Sequence, residues 1–184
     1  RFKNKNFIKL CLDSNLSSEI TLQPIRRFNL DSAIIFSDIL MVPYALGQNV
    51  KFTKGLGPKL SDFNLKEFLK NKENNFSNKL SPIYKAIDIT RRKLVKDKSL
   101  ISFIGAPWTL IVYMLNIKEK KEEINLQKLN NSKELIDQII ATLINFLCIH
   151  IKNQINAGAD VVQIFDSWAG LVPDENLNDF CFTP

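Results

Sequence analysis

Two carboxylates in the sequence directly follow apolar runs. Asp38 comes after "AIIFS" at 33–37, and apolar residues resume immediately after it; Asp166 comes after "DVVQIF" at 160–165 and is followed by Ser167. An unpaired carboxylate that is buried among apolar side chains is very costly. Each of these two carboxylates must therefore reach water or a cation, hydrogen-bond to the backbone, or be held in place for catalysis.

A third apolar run leads into another group of candidate residues. "SLISFI" at 99–104 is followed by Gly105 and then by a helical segment that carries Tyr113. In parallel α/β folds the carboxyl ends of the strands build the ligand site. We therefore expect Asp38, Gly105 with Tyr113, and Asp166 with Ser167 to lie on one rim of the fold.

Each candidate also has a structural interpretation. Asp38 is suited to cap a helix that begins at Ile39, and Asp166 is suited to the same role in its own loop. Tyr113 is suited to be a core aromatic residue whose hydroxyl is satisfied. The residues alone leave both sets of interpretations open.

Histidine and cysteine offer little support for metal or nucleophilic chemistry. The only histidine, His150, adjoins the apolar stripe of a predicted helix, so we interpret it as a packed structural residue. The cysteines Cys11, Cys148 and Cys181 lack CxxC spacing, which is typical of a reduced cytoplasmic protein. The residues thus support neither a zinc site nor a serine triad, and no GxGxxG or Walker pattern occurs.

The elements that would position these residues are strands and helices in alternation. The three apolar runs predict strands at 33–37, 99–104 and 160–165, each buried on both faces. Helical patterns separate them, which predicts βα units of a parallel sheet. The predicted helices are about 15–28, one from Ser81 with Pro82 in its first turn, and one from Ser132 that stops at Gly158. The insert at 49–60 is predicted to form a hairpin or lid near the end of the first strand, and 71–79 a polar loop.

Composition limits the class of protein. The chain has 184 residues, of which 45% are hydrophobic, so it can bury a sizeable core within one domain. Its net charge of +6 is scattered rather than gathered in a basic stripe, so we expect a solvated surface and no nucleic-acid partner. The alternative is that the charge steers an anionic ligand. The absence of a long uncharged apolar run predicts no membrane span. Because the chain begins with Arg and its first methionine is Met41, we expect a piece of a longer protein.

Several motifs together resemble one family, uroporphyrinogen decarboxylase. These motifs are "TLQPIRRF" at 21–28, "DSAIIFSDILMVPYALG" at 31–47, "GLGPKL" at 55–60, "FIGAPWTLIVYM" at 103–114 and "AGADVVQIFDSWAG" at 157–170. The resemblance covers essentially the whole chain, in matching order and spacing. It implies a single (β/α)8 TIM barrel, of which residues 1–184 would form part of one domain with barrel strands 2 to 4 and their helices. The family's arginine-rich "RQAGRY" segment and its last four strands, with a substrate-contacting histidine, would lie outside this chain.

The resemblance also implies an activity and a set of site residues. The family converts uroporphyrinogen III to coproporphyrinogen III and CO2 in haem biosynthesis, as a cytoplasmic homodimer without a cofactor or metal. Asp38 matches the aspartate that binds the pyrrole N–H groups, and Tyr113 matches a tyrosine near the reacting acetate. Ser167 matches a serine that binds a substrate carboxylate, and Phe103 matches a phenylalanine that lines the cleft.

Two other functional hypotheses are compatible with the sequence. Corrinoid-dependent methyltransferases have the same type of fold, but they bind zinc through His and Cys residues that would mostly lie outside this chain. Alternatively, the chain is a truncated product without activity, because three of eight strands cannot close a barrel and leave open edges.

Overall fold

The computed structural model describes residues 6–53, 57–120, 123–124 and 133–184. The strands in these ranges are β1 (Ser32–Ile34), β2 (Val50–Thr53), β3 (Gly57–Leu60), β4 (Ser99–Gly105), β5 (Lys118–Lys120), β6 (Glu123–Ile124) and β7 (Val161–Phe165). The helices are α1 (Phe7–Cys11), α2 (Ser14–Phe28), α3 (Met41–Ala45), α4 (Leu65–Leu69), α5 (Glu73–Lys93), α6 (Pro107–Met114) and α7 (Lys133–Asn156). Short 3-10 turns at Ala169–Leu171 and Asp174–Asn176 and a π-helical turn at Asn178–Phe182 follow β7.

A parallel sheet with the strand order β1-β4-β7 forms the centre of the fold. In its register Ala33 lies opposite Leu100, and Phe103 lies opposite Gln163. The predicted α/β class with a parallel sheet is thus confirmed, as are the positions of all three strands to within a few residues. The other two sheets are small antiparallel hairpins, β2-β3 and β5-β6, and the first of these confirms the hairpin predicted in the insert.

The two faces of the central sheet differ in burial. Leu100, Ser102 and Ile104 point toward the helices and are at most 3% exposed. We call the other side the open face; the strand register places on it Ile34, Ile101, Phe103, Val161, Gln163 and Phe165. Of these, Ile34 is 58% exposed, so helices cover only one side of the sheet. The prediction that each strand is buried on both faces is therefore wrong.

The first strand is shorter than predicted because side chains of α2, rather than β4, form the hydrogen bonds to its last backbone groups. Ile35 N still donates to Ile101 O at 2.9 Å. At the next residue, Thr21 Oγ1 accepts the N–H of Phe36 at 2.8 Å, and Ser17 Oγ donates to Phe36 O at 2.6 Å. The sheet ladder therefore ends here, one residue before the end of the predicted strand.

Helix α5 begins about two turns before the predicted start, so the predictions of a polar loop at 71–79 and of Pro82 in a first turn are wrong. The apolar stripe that holds the helix continues backwards through Leu80 to Phe76, both fully buried. Pro82 lies in the helix interior and cannot donate to Asn78 O. The hydroxyl of Ser81 donates to that carbonyl at 2.8 Å instead, which reduces the cost of the proline.

Helix α7 ends where the sequence predicted. Gly158 has a φ of 107°, a left-handed conformation that glycine adopts without strain, and a Cβ there would lie 2.8 Å from Arg91 Cγ. Among the described helices, Glu134–Asn156 is the one long and apolar enough to cross a membrane by length and composition. In this structure its apolar stripe packs inside the protein, where Ile139 and Leu143 are fully buried.

Candidate active site

The carboxyl ends of the three parallel strands meet at one edge of the sheet. Asp38 lies between β1 and α3, Gly105 is the last residue of β4, and Ser167 follows β7. Asp38 and Ser167 belong to loops of the two outer strands, with β4 between them. Two strand spacings separate these loops by roughly 10 Å.

Asp38 is held by its own loop. It is half-buried, and its Oδ1 accepts a hydrogen bond from Leu40 N at 2.8 Å. The expected helix beginning at Ile39 is wrong: α3 begins at Met41, and no side chain caps it. Within the described residues this is the one hydrogen bond to the carboxylate, so Oδ2 remains available to a ligand.

The surroundings of Asp38 disfavour its charged form. Burial raises the pKa of the carboxyl above its ordinary value, and the hydrogen bond from Leu40 opposes this shift. Burial also raises the pKa of the thiol of Cys11 to about 12, with an added effect of the Asp38 charge. Cys11 is therefore a neutral neighbour at physiological pH, and no cationic side chain forms an ion pair with Asp38 in the described ranges.

Gly105 allows the Asp38 loop to lie against the end of β4. A Cβ on this residue would lie 3.1 Å from Ile39 Cβ and 2.9 Å from Leu110 Cδ2. Both distances are shorter than a side chain tolerates without movement of its neighbours. The absence of a side chain at Gly105 thus fixes how closely the loops after β1 and β4 approach.

Phe103 lies on the open face, where it forms an edge-to-face pair with Phe165 of β7 at a centroid distance of 5.5 Å. Phe165 is 42% exposed and Phe103 is half-buried. Together with Ile34, these rings make most of the open face apolar; Gln163 is its polar member.

Tyr113 lies near the end of α6 and touches the loop after β7. Its ring meets that of Trp168 edge to face at 5.9 Å, and the residue is half-buried. It is therefore neither a fully buried core aromatic nor a free surface residue. Because Trp168 directly follows Ser167, the structure brings Tyr113 close to the Ser167 turn.

The loop after β7 is tied to the start of α6 by a residue that the sequence reading missed. Thr109 is fully buried; its hydroxyl donates to Asp166 Oδ1 at 2.6 Å and accepts from Trp168 N at 3.2 Å. The carboxylate of Asp166 thus binds a side chain of another element, and it does not cap its own turn as had been the alternative. Ser167, between these two bonded residues, is exposed at the edge. No pattern in the sequence around Thr109, "PWTL" at 107–110, predicts this contact.

The predicted hairpin connects to the same edge through aromatic rings. Phe7 of α1 packs against Phe36 at 5.8 Å and against Phe52 of β2 at 4.5 Å. The hairpin therefore lies near the end of the first strand, as predicted for a lid. Its tip, residues 54–56, lies outside the described residues.

His150 lies away from this edge and is packed, as predicted. It is 5% exposed on α7, and its Nδ1 is 2.9 Å from the hydroxyl of Tyr84 on α5. Burial lowers the pKa of His150 to about 3, so the imidazole is neutral at physiological pH. Among the described residues no group of three or more His, Cys, Asp and Glu side chains has the arrangement of a metal site.

Comparison with known proteins assigns the family. The sequence profile described as "Uroporphyrinogen decarboxylase (URO-D)" matches residues 1–184. The chain belongs to the uroporphyrinogen decarboxylase family. The resemblance seen in the motifs is thereby confirmed for the whole chain.

Individual relatives in this family agree. The chain is 41% identical to the uroporphyrinogen decarboxylase of Rickettsia bellii, over 98% of this chain and 53% of the relative. It is 46% identical to that of Orientia tsutsugamushi (strain Ikeda), over 100% of this chain and 54% of the relative. The chain thus spans about half the length of these curated relatives.

A solved structure supports the fold. A methyltransferase from Methanosarcina mazei superposes with a TM-score of 0.72 over 92% of this chain and 51% of its own, at 18% identity. At this identity the similarity concerns the fold alone. The sequence relatives therefore favour the decarboxylase over the methyltransferase hypothesis.

Proposed function

We propose that the complete protein containing this chain removes the four acetate carboxyl groups of uroporphyrinogen III as CO2 and yields coproporphyrinogen III. The observation that carries the proposal is the state of Asp38. It is a half-buried carboxylate at the edge where the carboxyl ends of the parallel strands meet, with one backbone hydrogen bond and a raised pKa. Such a group is suited to accept N–H groups of a ligand, which would stabilise its charged form.

The reaction needs a way to hold the electron pair that CO2 leaves behind. Protonation of a pyrrole ring carbon creates a cationic ring. The bond between the acetate CH2 and its carboxylate then breaks, its electron pair moves into the ring, and CO2 departs. Protonation of the CH2 carbon and loss of the ring proton complete a methyl group, so one proton replaces each CO2.

Asp38 would act on the charge that develops in this sequence. A carboxylate fixed next to the pyrrole N–H groups stabilises the cationic ring, and in a site that excludes water this effect is large. Because Oδ1 already accepts Leu40 N, Oδ2 is the atom that faces the ligand in our proposal. Asp38 is therefore the proposed catalytic residue.

The other proposed contacts follow from the resemblance and from positions at the same edge. Tyr113 would lie near the reacting acetate, and Ser167 would donate its hydroxyl to a substrate carboxylate. Phe103, on the open face, would line the cleft. The apolar open face would exclude water from below the ring.

The remaining expectations also belong to this proposal. The chain would supply strands 2 to 4 of a single (β/α)8 barrel, as part of one domain. The complete protein would be a cytoplasmic homodimer that needs no cofactor or metal and has neither a nucleic-acid nor a membrane partner.

The test is an assay of the complete protein encoded by this reading frame. Uroporphyrinogen is incubated with it under reducing, oxygen-free conditions, and the products are oxidised and separated by their number of carboxyl groups. We expect products that lose carboxyl groups stepwise down to coproporphyrin. A folded protein that leaves uroporphyrinogen unchanged would contradict the proposal, and methyl transfer from a corrinoid substrate would support the alternative.

A further inference from the structure

The hydroxyl of Thr109 holds both residues that flank Ser167. It donates to the carboxylate of Asp166 at 2.6 Å and accepts the backbone N–H of Trp168 at 3.2 Å. Ser167 therefore lies in a turn that is fixed on each side by the same side chain. A second bond supports the turn, because Trp108 Nε1 donates to Trp168 O at 3.1 Å.

The environment of Thr109 excludes direct contact with a ligand at the edge. The residue is fully buried in the first turn of α6. Its Asp166 partner also faces the thiol of Cys181, whose pKa is raised to about 12 by burial and by Asp166. Any effect of Thr109 on substrate must therefore pass through the turn that it holds.

The bond that Thr109 donates differs from those donated by the other threonines of the described helices. A helical threonine commonly donates to the carbonyl one turn earlier, as Thr90 does to Ala86 O at 2.7 Å and Thr142 does to Gln138 O at 2.8 Å. Thr109 donates across to another element instead. Its hydroxyl thus carries a tertiary contact that no methyl group can replace.

We propose that Thr109 is a positioning residue that orients the hydroxyl of Ser167 for a substrate carboxylate and, through Trp168, sets the wall against which Tyr113 packs. This inference rests on the proposed decarboxylase function for its effect on catalysis. The contacts themselves do not depend on that function, so they can be tested separately.

The experiment compares Thr109→Val with Thr109→Ser in the complete protein. Valine keeps the shape and removes the hydroxyl, whereas serine keeps the hydroxyl. We expect Thr109→Val to lower kcat/KM for uroporphyrinogen about tenfold, mainly through KM, and Thr109→Ser to retain most of it. Thr90→Val is the matched control, because Thr90 is equally buried but bonds only to its own helix.

Two further measurements separate positioning from general stability. Fluorine NMR of fluorotryptophan-labelled protein reports on Trp108 and Trp168, and their signals should shift in Thr109→Val but not in Thr109→Ser or Thr90→Val. In a double-mutant cycle, Ser167→Ala should cost little more when Thr109→Val is already present.

Each result bears on one part of the proposal. Unchanged fluorine signals in Thr109→Val would overturn the positioning role whether or not the protein is a decarboxylase. An active wild type with fully additive losses in the cycle would overturn the link to Ser167. A folded wild type without decarboxylase activity would refute the proposed function, and the fluorine signals would then still decide whether Thr109 holds the turn.

Discussion

Asp38 and Asp166 occupy equivalent places in the sequence and opposite roles in the structure. Both follow an apolar strand at the same edge of the sheet. The carboxylate of Asp166 accepts the hydroxyl of Thr109 and faces the thiol of Cys181, whereas that of Asp38 accepts only Leu40 N within the described residues. The fold uses Asp166 to hold a turn and leaves Asp38 with capacity to bind a ligand.

The largest difference between Asp38 and Asp166 should appear in turnover. In the complete protein, Asp38→Asn should reduce coproporphyrinogen formation by about 10²–10³-fold, because it removes the charge that stabilises the cationic ring. Asp97→Asn is the matched control, since Asp97 is exposed in the turn before β4, at the opposite edge of the sheet. Product formation by Asp38→Asn at the wild-type rate would rule out the proposed role.

The stability of the folded protein should depend on Asp166 more than on Asp38. Asp166→Ala leaves the buried hydroxyl of Thr109 without its acceptor, so we expect a loss of about 2 kcal/mol in the free energy of unfolding. Denaturant unfolding of the complete protein measures this loss, provided that the transition is two-state. If Asp166→Ala unfolds like the wild type, Asp166 does not hold the turn.

The pH dependence of activity tests the raised pKa of Asp38. Because the proposed mechanism needs the ionised form, kcat/KM should fall on the acid side, with a midpoint above the ordinary range of an aspartate. A kcat/KM profile measured over the pH range in which the protein stays folded checks this. A midpoint at the ordinary aspartate value would show that burial does not control the group.

The smallest expected effect concerns the stability of Asp38→Asn. Since the folded-state pKa is raised, the folded protein keeps this proton to a higher pH than the unfolded chain. The resulting stability is fully present below the unfolded pKa and is lost as the pH rises through the folded pKa. Asp38→Asn should therefore raise Tm at neutral pH, and the gain should vanish below the unfolded pKa, whereas Asp97→Asn should change Tm little at either pH. A lower Tm at neutral pH would indicate that the charge stabilises the free protein.

Local patterns predicted much of the fold. The three central strands were predictable because each is a short continuous apolar run, and the end of α7 because glycine is favoured where the chain must turn at positive φ. The start of α5 was not predicted because Phe76 and Leu80 are surrounded by polar residues in the sequence. Only in the packed helix do these two side chains extend its apolar face. Packing against the rest of the molecule decided that boundary.

Sequence by itself determined the family, the order of the three central strands with helices between them, and the placement of Asp38, Tyr113 and Ser167 in loops or helices at the carboxyl side of the strands. Tertiary structure alone decided which aspartate is already bonded. Thr109 and Asp166 are 57 positions apart, and they meet because parallel strands bring the loop after β7 against the start of α6. A hydrogen bond between distant positions leaves no local pattern, so two carboxylates with similar neighbours became one structural residue and one candidate for catalysis.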